Sequence, residues 1–308
     1  MPQHQLLLLT RPEERELYQE ALEAAHLPNL KIVSAASSEV EIVFGTPPAI
    51  RAALPNLPGL KWCQSTWAGV EPLLDPNLRR DYVLTNARGV FGGYMSEYVF
   101  GYLLLFQRKI LETRAAQQQG NWEQQILPGL EGKTFGLLGV GSIGAHLAAT
   151  ARHFGMRVLG YTRSSEDCPD VERYYHGAEL NAFARELDVL VVVLPSTAWT
   201  RHLVNADFLS ALPERAILFN IGRGQSLDEK ALVEALRAGK IATAVLDVFE
   251  EEPLPAGHPF WSMPNVFVTP HDAAHSFPAD LVRVFEENYR RYDAGLELKY
   301  RVDFERGY

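Results

Sequence analysis

Two doubly wound parallel-sheet domains of the α/β class are predicted by three features of this 308-residue sequence. Short apolar runs alternate with helical stretches twice along the chain, a glycine-rich turn joins one such run to a helix, and Pro/Gly turns punctuate the series. The length fits about two domains at roughly 100 to 200 residues each. With 47% hydrophobic and 22% charged residues there is enough apolar material for both cores.

The first alternation runs through apolar segments 6–9, 32–33, 42–44, 60–64 and 83–85, with a helix around 13–25. Pro47-Pro48, Pro55, Pro58-Gly59 and Asp75-Pro76-Asn77 read as turns. Residues 96–119 form one long Pro-free helical stretch that stops at Gly120-Asn121. The second alternation has strands at 134–138, 157–161, 188–194, 216–220, 242–246 and 266–269, and helices at 143–154, 197–203, 206–211 and 228–238. A last helix, 279–294, follows the completed series and is expected to return to the first domain. The domains are therefore expected at 1–96 plus 274–308 and at 97–273.

Charge and composition exclude several classes. The formal net charge is -9, from 29 Lys plus Arg against 38 Asp plus Glu, with no basic run to follow a phosphate backbone, so nucleic acid is not an expected partner. The apolar run 189–194 is far short of the roughly 20 residues that span a bilayer, and no membrane partner is expected. The N-terminal residues lack the basic and apolar regions of a signal peptide. Cys63 and Cys168 are in no metal-ligand spacing and could pair only with each other, which suits a reducing cytoplasm.

Gly139-Val140-Gly141-Ser142-Ile143-Gly144 follows the 134–138 strand directly and opens a helix. In that context Gly-x-Gly-x-x-Gly is a dinucleotide signature: Gly139 permits the tight turn, Gly141 lets backbone approach a pyrophosphate, and Gly144 lets helix and strand pack closely. Free amides at the helix start then face the phosphates. An NAD site would place an acid at the end of the next strand, but Thr162-Arg163-Ser164-Ser165 stands there. A guanidinium with hydroxyls suits a 2′-phosphate, so NADP is expected, with NAD the weaker alternative. Glu166 and Asp167 lie beyond the strand end and read as solvated loop charges.

Arg223 (after Asn220-Ile221-Gly222), Glu252 (the last of three consecutive glutamates, before Pro253) and His271 (after Thr269-Pro270) each follow a strand of the second series. Ligands bind outside the carboxyl ends of such strands, and a cation, a carboxylate and an imidazole there suit carbonyl reduction. His275 lies four residues beyond His271, but no third ligand has suitable spacing, and no metal is expected. His26, His153, His176, His202 and His258 have no motif context.

The ordered series Ser65-Thr66-Trp67-Ala68-Gly69-Val70, Asn86-Ala87-Arg88-Gly89, Ser96-Glu97-Tyr98, the glycine turn, Leu194-Pro195-Ser196-Thr197, Arg223-Gly224 with Asp228, Asp247 to Pro253, and Thr269-Pro270-His271 resembles the D-isomer-specific 2-hydroxyacid dehydrogenases, which include glyoxylate and hydroxypyruvate reductases. The resemblance covers nearly the whole chain and implies a flavodoxin-like substrate domain and a Rossmann cofactor domain. It implies that Arg223 binds the carboxylate and carbonyl of a small 2-keto acid, that His271 is the acid/base, and that Glu252 orients and charges His271. It implies that amides around Trp67, Ala68, Gly69 and Val70 hold the carboxylate, that Ser142 and Ile143 supply phosphate amides, and that Leu194, Pro195, Ser196, Ile221 and Asp247 line the cofactor. A homodimer is implied through Leu103, Leu104, Leu105 and Phe106 and an arm at 117–126 carrying Trp122.

Glu71 stands where Asp is usual, and Trp67 adds an indole beside the carboxylate loop, which either favours short 2-keto acids or walls a pocket for longer ones. The expected activity is NADPH-dependent reduction of glyoxylate or hydroxypyruvate. The alternatives are a reductase of bulkier 2-keto acids, an NAD-dependent hydroxyacid oxidase, and a non-catalytic dinucleotide sensor on the same fold.

Overall fold

The computed structural model describes residues 3–122 and 124–308; Met1, Pro2 and Glu123, and so part of the N-terminal reading and one position of the 117–126 arm, lie outside the described residues. In order, the elements are β1 (His4–Leu9), α1 (Arg15–Ala24), β2 (Leu30–Val33), β3 (Val40–Gly45), α2 (Pro47–Ala53), β4 (Trp62–Ser65), β5 (Val83–Thr85), α3 (Gly92–Gln107) and α4 (Ile110–Gln118). Then follow β6 (Thr134–Leu138), α5 (Ser142–His153), β7 (Arg157–Tyr161), β8 (Arg173–Tyr175), α6 (Leu180–Arg185), β9 (Val189–Val192), α7 (Ala206–Ala211), β10 (Ile217–Asn220), α8 (Glu229–Arg237), β11 (Thr243–Leu246), β12 (Val266–Val268) and α9 (Pro278–Asp293).

Two compact units result, residues 1–90 with 276–308, and residues 91–275. The first carries a five-stranded sheet in the order β2-β1-β3-β4-β5 and the second a seven-stranded sheet in the order β12-β11-β10-β9-β6-β7-β8. The ten pairings between these strands are all parallel. The first order is that of flavodoxin-like sheets; the second is the Rossmann order with one strand added.

Parallel sheets are covered on both faces, so their strands are apolar at successive positions. In the second unit, Leu138, Leu190, Leu218 and Leu246 enter one core layer, while their chain neighbours Leu137, Val189, Val191, Phe219 and Val245 enter the other. That two-residue alternation places helices on both sides. In the first unit the ring of Phe285 from α9 stacks between Phe44 and Trp62, with centroids 4.8 and 5.1 Å away. Asn288, fully buried in α9, donates to Gln64 Oε1 and to the Lys299 carbonyl, and accepts from Lys299 N.

Some local expectations are corrected. The 96–119 stretch is two helices, broken at Lys109, which adopts φ +48°. Buried positions of α3 end at Leu103 and α4 has none, so no continuous packing face holds the two in line. Segment 197–203 is a turn rather than a helix: Thr200 Oγ1 donates to Pro195 O at 2.7 Å, a local bond that competes with helix formation. Pro47 and Pro48 open α2, where a missing amide proton costs nothing.

Candidate active site

The second unit presents its chemistry at the carboxyl ends of its strands. Gly139 follows β6, Thr162 follows β7, Arg223 comes three residues after β10, and His271 three after β12; Glu252 lies on the loop leaving β11. Because β10, β11 and β12 are adjacent and in parallel register, Arg223, Glu252 and His271 leave one edge of one sheet.

Glu252 and His271 form a hydrogen-bonded pair, with His271 Nδ1 donating to Oε2 at 2.8 Å. The other oxygen, Oε1, accepts from Phe249 N at 3.0 Å. Burial opposes ionisation of Glu252, but the bonds from His271 and Phe249, with the charges of His271 and Arg223, outweigh it and hold the carboxyl below its usual range. The bond to Glu252 raises the His271 pKa above its ordinary value against burial and the Arg223 charge. An imidazolium with its Nδ1 proton engaged leaves Nε2 as the group able to deliver a proton.

His271 has φ +55° and its amide donates to Asp247 O at 2.9 Å. Asp247, at the end of β11, is buried and clamps this loop: Oδ1 accepts from Thr269 Oγ1 (2.7 Å), Asp272 N (2.9 Å) and Ala273 N (3.1 Å). Burial raises its pKa despite those donors. Since Thr269 gives its proton to Asp247, Tyr98 must donate to Thr269, 2.6 Å away, making a directed chain from α3 to the histidine loop. Tyr98 and Thr269 were visible in the sequence only as parts of motifs, with no role attached.

Arg223 is fixed through its backbone, whose carbonyl accepts from Ser226 Oγ at 2.7 Å and Asn220 Nδ2 at 3.2 Å; Nη1 donates to Gly222 O. Gly224 is required by contact: a Cβ there would lie 1.9 Å from the Phe249 carbonyl carbon. The arginine and glutamate loops therefore touch backbone to backbone. Further pairs brace the glutamate loop, with Glu229 accepting from Glu250 N at 2.8 Å, His258 3.4 Å from Glu229, and His202 on Glu250. His202, His258 and Glu229 gave no sequence signal.

The residues present fit a dinucleotide. Gly139 adopts φ +102°, and Gly144 packs so tightly that a Cβ would meet Gly139 O at 2.5 Å. At Gly141 a Cβ would meet nothing within 4 Å, so the turn is open where a pyrophosphate would lie over the amides of Ser142 and Ile143 that start α5. Ile221 is buried, and the loop Leu194-Pro195-Ser196 is held by Thr200 and by close approach of Gly222 to Leu194. At the end of β7, Thr162 is buried and donates to Ser165 O at 2.6 Å, whereas Arg163 is exposed. Glu166 is not merely solvated, since it pairs with His176 at 2.8 Å. Among the described residues no group of three or more His, Cys, Asp or Glu could hold a metal ion.

Trp67, Ala68, Gly69 and Val70 belong to the first unit, in the loop after β4. Ser65 Oγ accepts from Trp67 N and donates to Trp67 O, both at 2.9 Å, and Asn86 Nδ2 donates to Ala68 O at 2.7 Å. Those bonds consume carbonyls and leave the amides of Ala68 and Gly69 as possible donors to an anion.

A dinucleotide-binding sheet with an Arg, Glu and His set along one edge is the arrangement of nicotinamide-linked oxidoreductases. Residues 100–273 match the family described as D-isomer specific 2-hydroxyacid dehydrogenase, NAD binding domain, and the chain belongs to that family. It is 38% identical over 215 residues, 70% of this chain and 68% of its relative, to glyoxylate/hydroxypyruvate reductase A of Yersinia enterocolitica. A D-isomer specific 2-hydroxyacid dehydrogenase family protein from Aeromonas salmonicida superposes with TM-score 0.89 at 45% identity, covering 98% of this chain and 99% of the other. The NADPH-dependent glyoxylate/hydroxypyruvate reductase of Sinorhizobium meliloti, solved with NADP and sulfate, gives TM-score 0.86 at 30% identity over 99% and 100% of the two chains.

Proposed function

We propose that this protein reduces glyoxylate and hydroxypyruvate to the corresponding 2-hydroxy acids with NADPH. The observation that carries the proposal is the Glu252–His271 hydrogen bond at 2.8 Å on the sheet edge that also bears Arg223. When bound, the reduced nicotinamide supplies the hydride. Arg223 binds the substrate carboxylate and steadies the charge growing on the carbonyl oxygen, and His271 Nε2 gives that oxygen its proton. Glu252 keeps His271 charged until then, and Asp247 holds the histidine loop through its amides. Gly139, Gly141 and Gly144 cradle the pyrophosphate, Arg163 takes the 2′-phosphate, and amides around Ala68 and Gly69 hold the carboxylate.

Trp67 is assigned as the wall that favours short substrates. The test is a panel of glyoxylate, hydroxypyruvate, pyruvate, 2-ketoisocaproate and phenylpyruvate with NADPH and with NADH. The highest kcat/KM is expected for one of the first two with NADPH. Phenylpyruvate as best substrate would overturn the role of Trp67, and no turnover with any 2-keto acid would favour a dinucleotide sensor.

The working form is assigned as a cytoplasmic homodimer. Free, buried cysteines at positions 63 and 168 suit that compartment. Leu103 is buried in the core of its own unit and Leu104 and Phe106 pack against that core, so the support for a dimer lies instead in Trp122 and Ile126, 93% and 97% exposed, and in exposed Ile110 and Leu111 of α4. Such apolar side chains together on one segment are the kind a second copy covers.

A further inference from the structure

We propose that His176 is a second cation of the 2′-phosphate corner, and that it makes the preference for NADPH over NADH depend on pH. The proposal rests on the NADPH reading above and concerns a residue on a different strand from the selector loop. Strands β7 and β8 are neighbours with Tyr161 opposite Tyr175, so the next residues, Thr162 and His176, emerge side by side. Thr162 N donates to Tyr175 O, tying the two strand ends together.

The tautomer of His176 follows from its partners. Nδ1 lies 2.9 Å from the Thr162 carbonyl oxygen, and Nε2 lies 2.8 Å from Glu166 Oε1. Neither a carbonyl nor a carboxylate can donate, and the Thr162 hydroxyl, 3.4 Å from Nδ1, already gives its proton to Ser165 O. Only the imidazolium satisfies both partners at once, so this arrangement favours the charged ring. Its pKa is raised, first by the bond to Glu166 and then by the Thr162 carbonyl.

The groups around the ring are few. Glu166 faces Nε2, Glu179 accepts the His176 amide at 3.1 Å, and Tyr174 lies parallel to the ring at 6.4 Å. Asp167 is turned to Ser165 Oγ, and Arg163 is exposed. With the Thr162 proton committed to the turn, Arg163 and His176 are two cations this corner can offer a dianionic phosphate. Glu166, 62% exposed, holds the ring charged beforehand and can move into water when a phosphate, with more charge and three acceptor oxygens, takes the Nε2 proton.

Calorimetric titration of the intact protein with NADPH and with NADH, between about pH 6.5 and about pH 9, tests this. In the parent the NADPH preference should fall as pH rises through the His176 pKa. NADPH binding near pH 8, where the phosphate is already dianionic, should take up protons, measured in buffers of different ionisation enthalpy. His176→Gln should weaken NADPH about three- to tenfold, leave NADH within about twofold as a check on folding, and abolish the proton uptake. His176→Lys should restore the preference and make it flat in pH. If the parent prefers NADPH and His176→Gln changes neither the preference nor the proton uptake, the role of His176 is refuted while the cofactor reading stands. If the parent itself prefers NADH at every pH, the cofactor reading fails, and this inference with it.

Discussion

Replacing Glu252 by Gln removes a charge without removing volume, and the structure lets the cost be worked through. Both carboxylate oxygens are acceptors, one from Phe249 N and one from His271 Nδ1. An amide has one oxygen and one NH₂, so if the oxygen stays with Phe249 the NH₂ meets Nδ1 and favours the neutral ring. The charges of a pair in hydrogen-bond contact are centred about 4 Å apart, worth about 4 kcal/mol at an effective dielectric of about 20. The side chains of His271 and Glu252 are 53% and 37% exposed. Solvent screening at that exposure leaves roughly 1.5 to 2 kcal/mol, a factor of about ten to thirty in the population of the imidazolium. Reduction needs the protonated ring, and Glu252 raises its pKa. Activity therefore persists to higher pH in the parent and is lost as pH rises through that pKa. For Glu252→Gln, the high-pH limb of kcat/KM for glyoxylate should move to lower pH, with kcat/KM on the old plateau's alkaline side down about ten- to thirtyfold and NADPH affinity unchanged. Initial rates across pH measure this. A profile that superimposes on the parent's refutes the argument, and so does a limb that moves instead with Glu250→Gln, because Glu250 pairs with His202.

Other outcomes follow from separate contacts. Gly224→Ala puts a methyl 1.9 Å from backbone carbon that cannot swing away, so the urea midpoint should drop by the equivalent of about 1 to 3 kcal/mol, and kcat/KM should fall as the 249–253 loop shifts; an unchanged midpoint would mean the loops are not in contact. Arg163→Asp should lower the NADPH to NADH ratio of kcat/KM by roughly tenfold or more, and an unchanged ratio rules it out as selector. Light scattering at micromolar concentration should give twice the 34.5 kDa chain mass, and Trp122→Asp with Ile126→Asp should give the single-chain mass; a monomeric parent removes the dimer.

What could be read from the sequence was what period and position encode. Runs such as Val189-Leu190-Val191-Val192 fill both faces of a sheet and cannot be mistaken for a surface, and the glycine turn is fixed by strand, spacing and helix together. The edge strand β8 was not readable: it is three residues with an arginine and one fully buried side chain, so it carries almost no pattern, whereas the other edge strands β2, β5 and β12 kept their apolar runs. The break at Lys109 was hidden because nothing in its side chain asks for a left-handed conformation. The catalytic candidates stood out because each follows a strand inside a distinctive tripeptide. Their supports, Glu229, His202 and His258, are joined to the site by folding alone, from elements 21 to 48 residues away from their partners.

The insertion of one unit into the other has a consequence for how the chain is made. The ring of Phe285 completes the stack between Phe44 and Trp62, and Tyr289 and Asn288 tie α9 to Pro28 and Gln64. On the ribosome, β1 to β5 precede the second unit, yet the face that carries Phe44 and Trp62 is covered only in part, by Tyr18 of α1, until residues 278–293 follow. The two core clusters of the inserted unit are built from residues within 91–275, so its core does not wait for that last helix. The five-stranded sheet is therefore sealed only after the whole of the inserted unit has been made, and until then its apolar face around Phe44 and Trp62 is surface of the kind that aggregates or is held by chaperones.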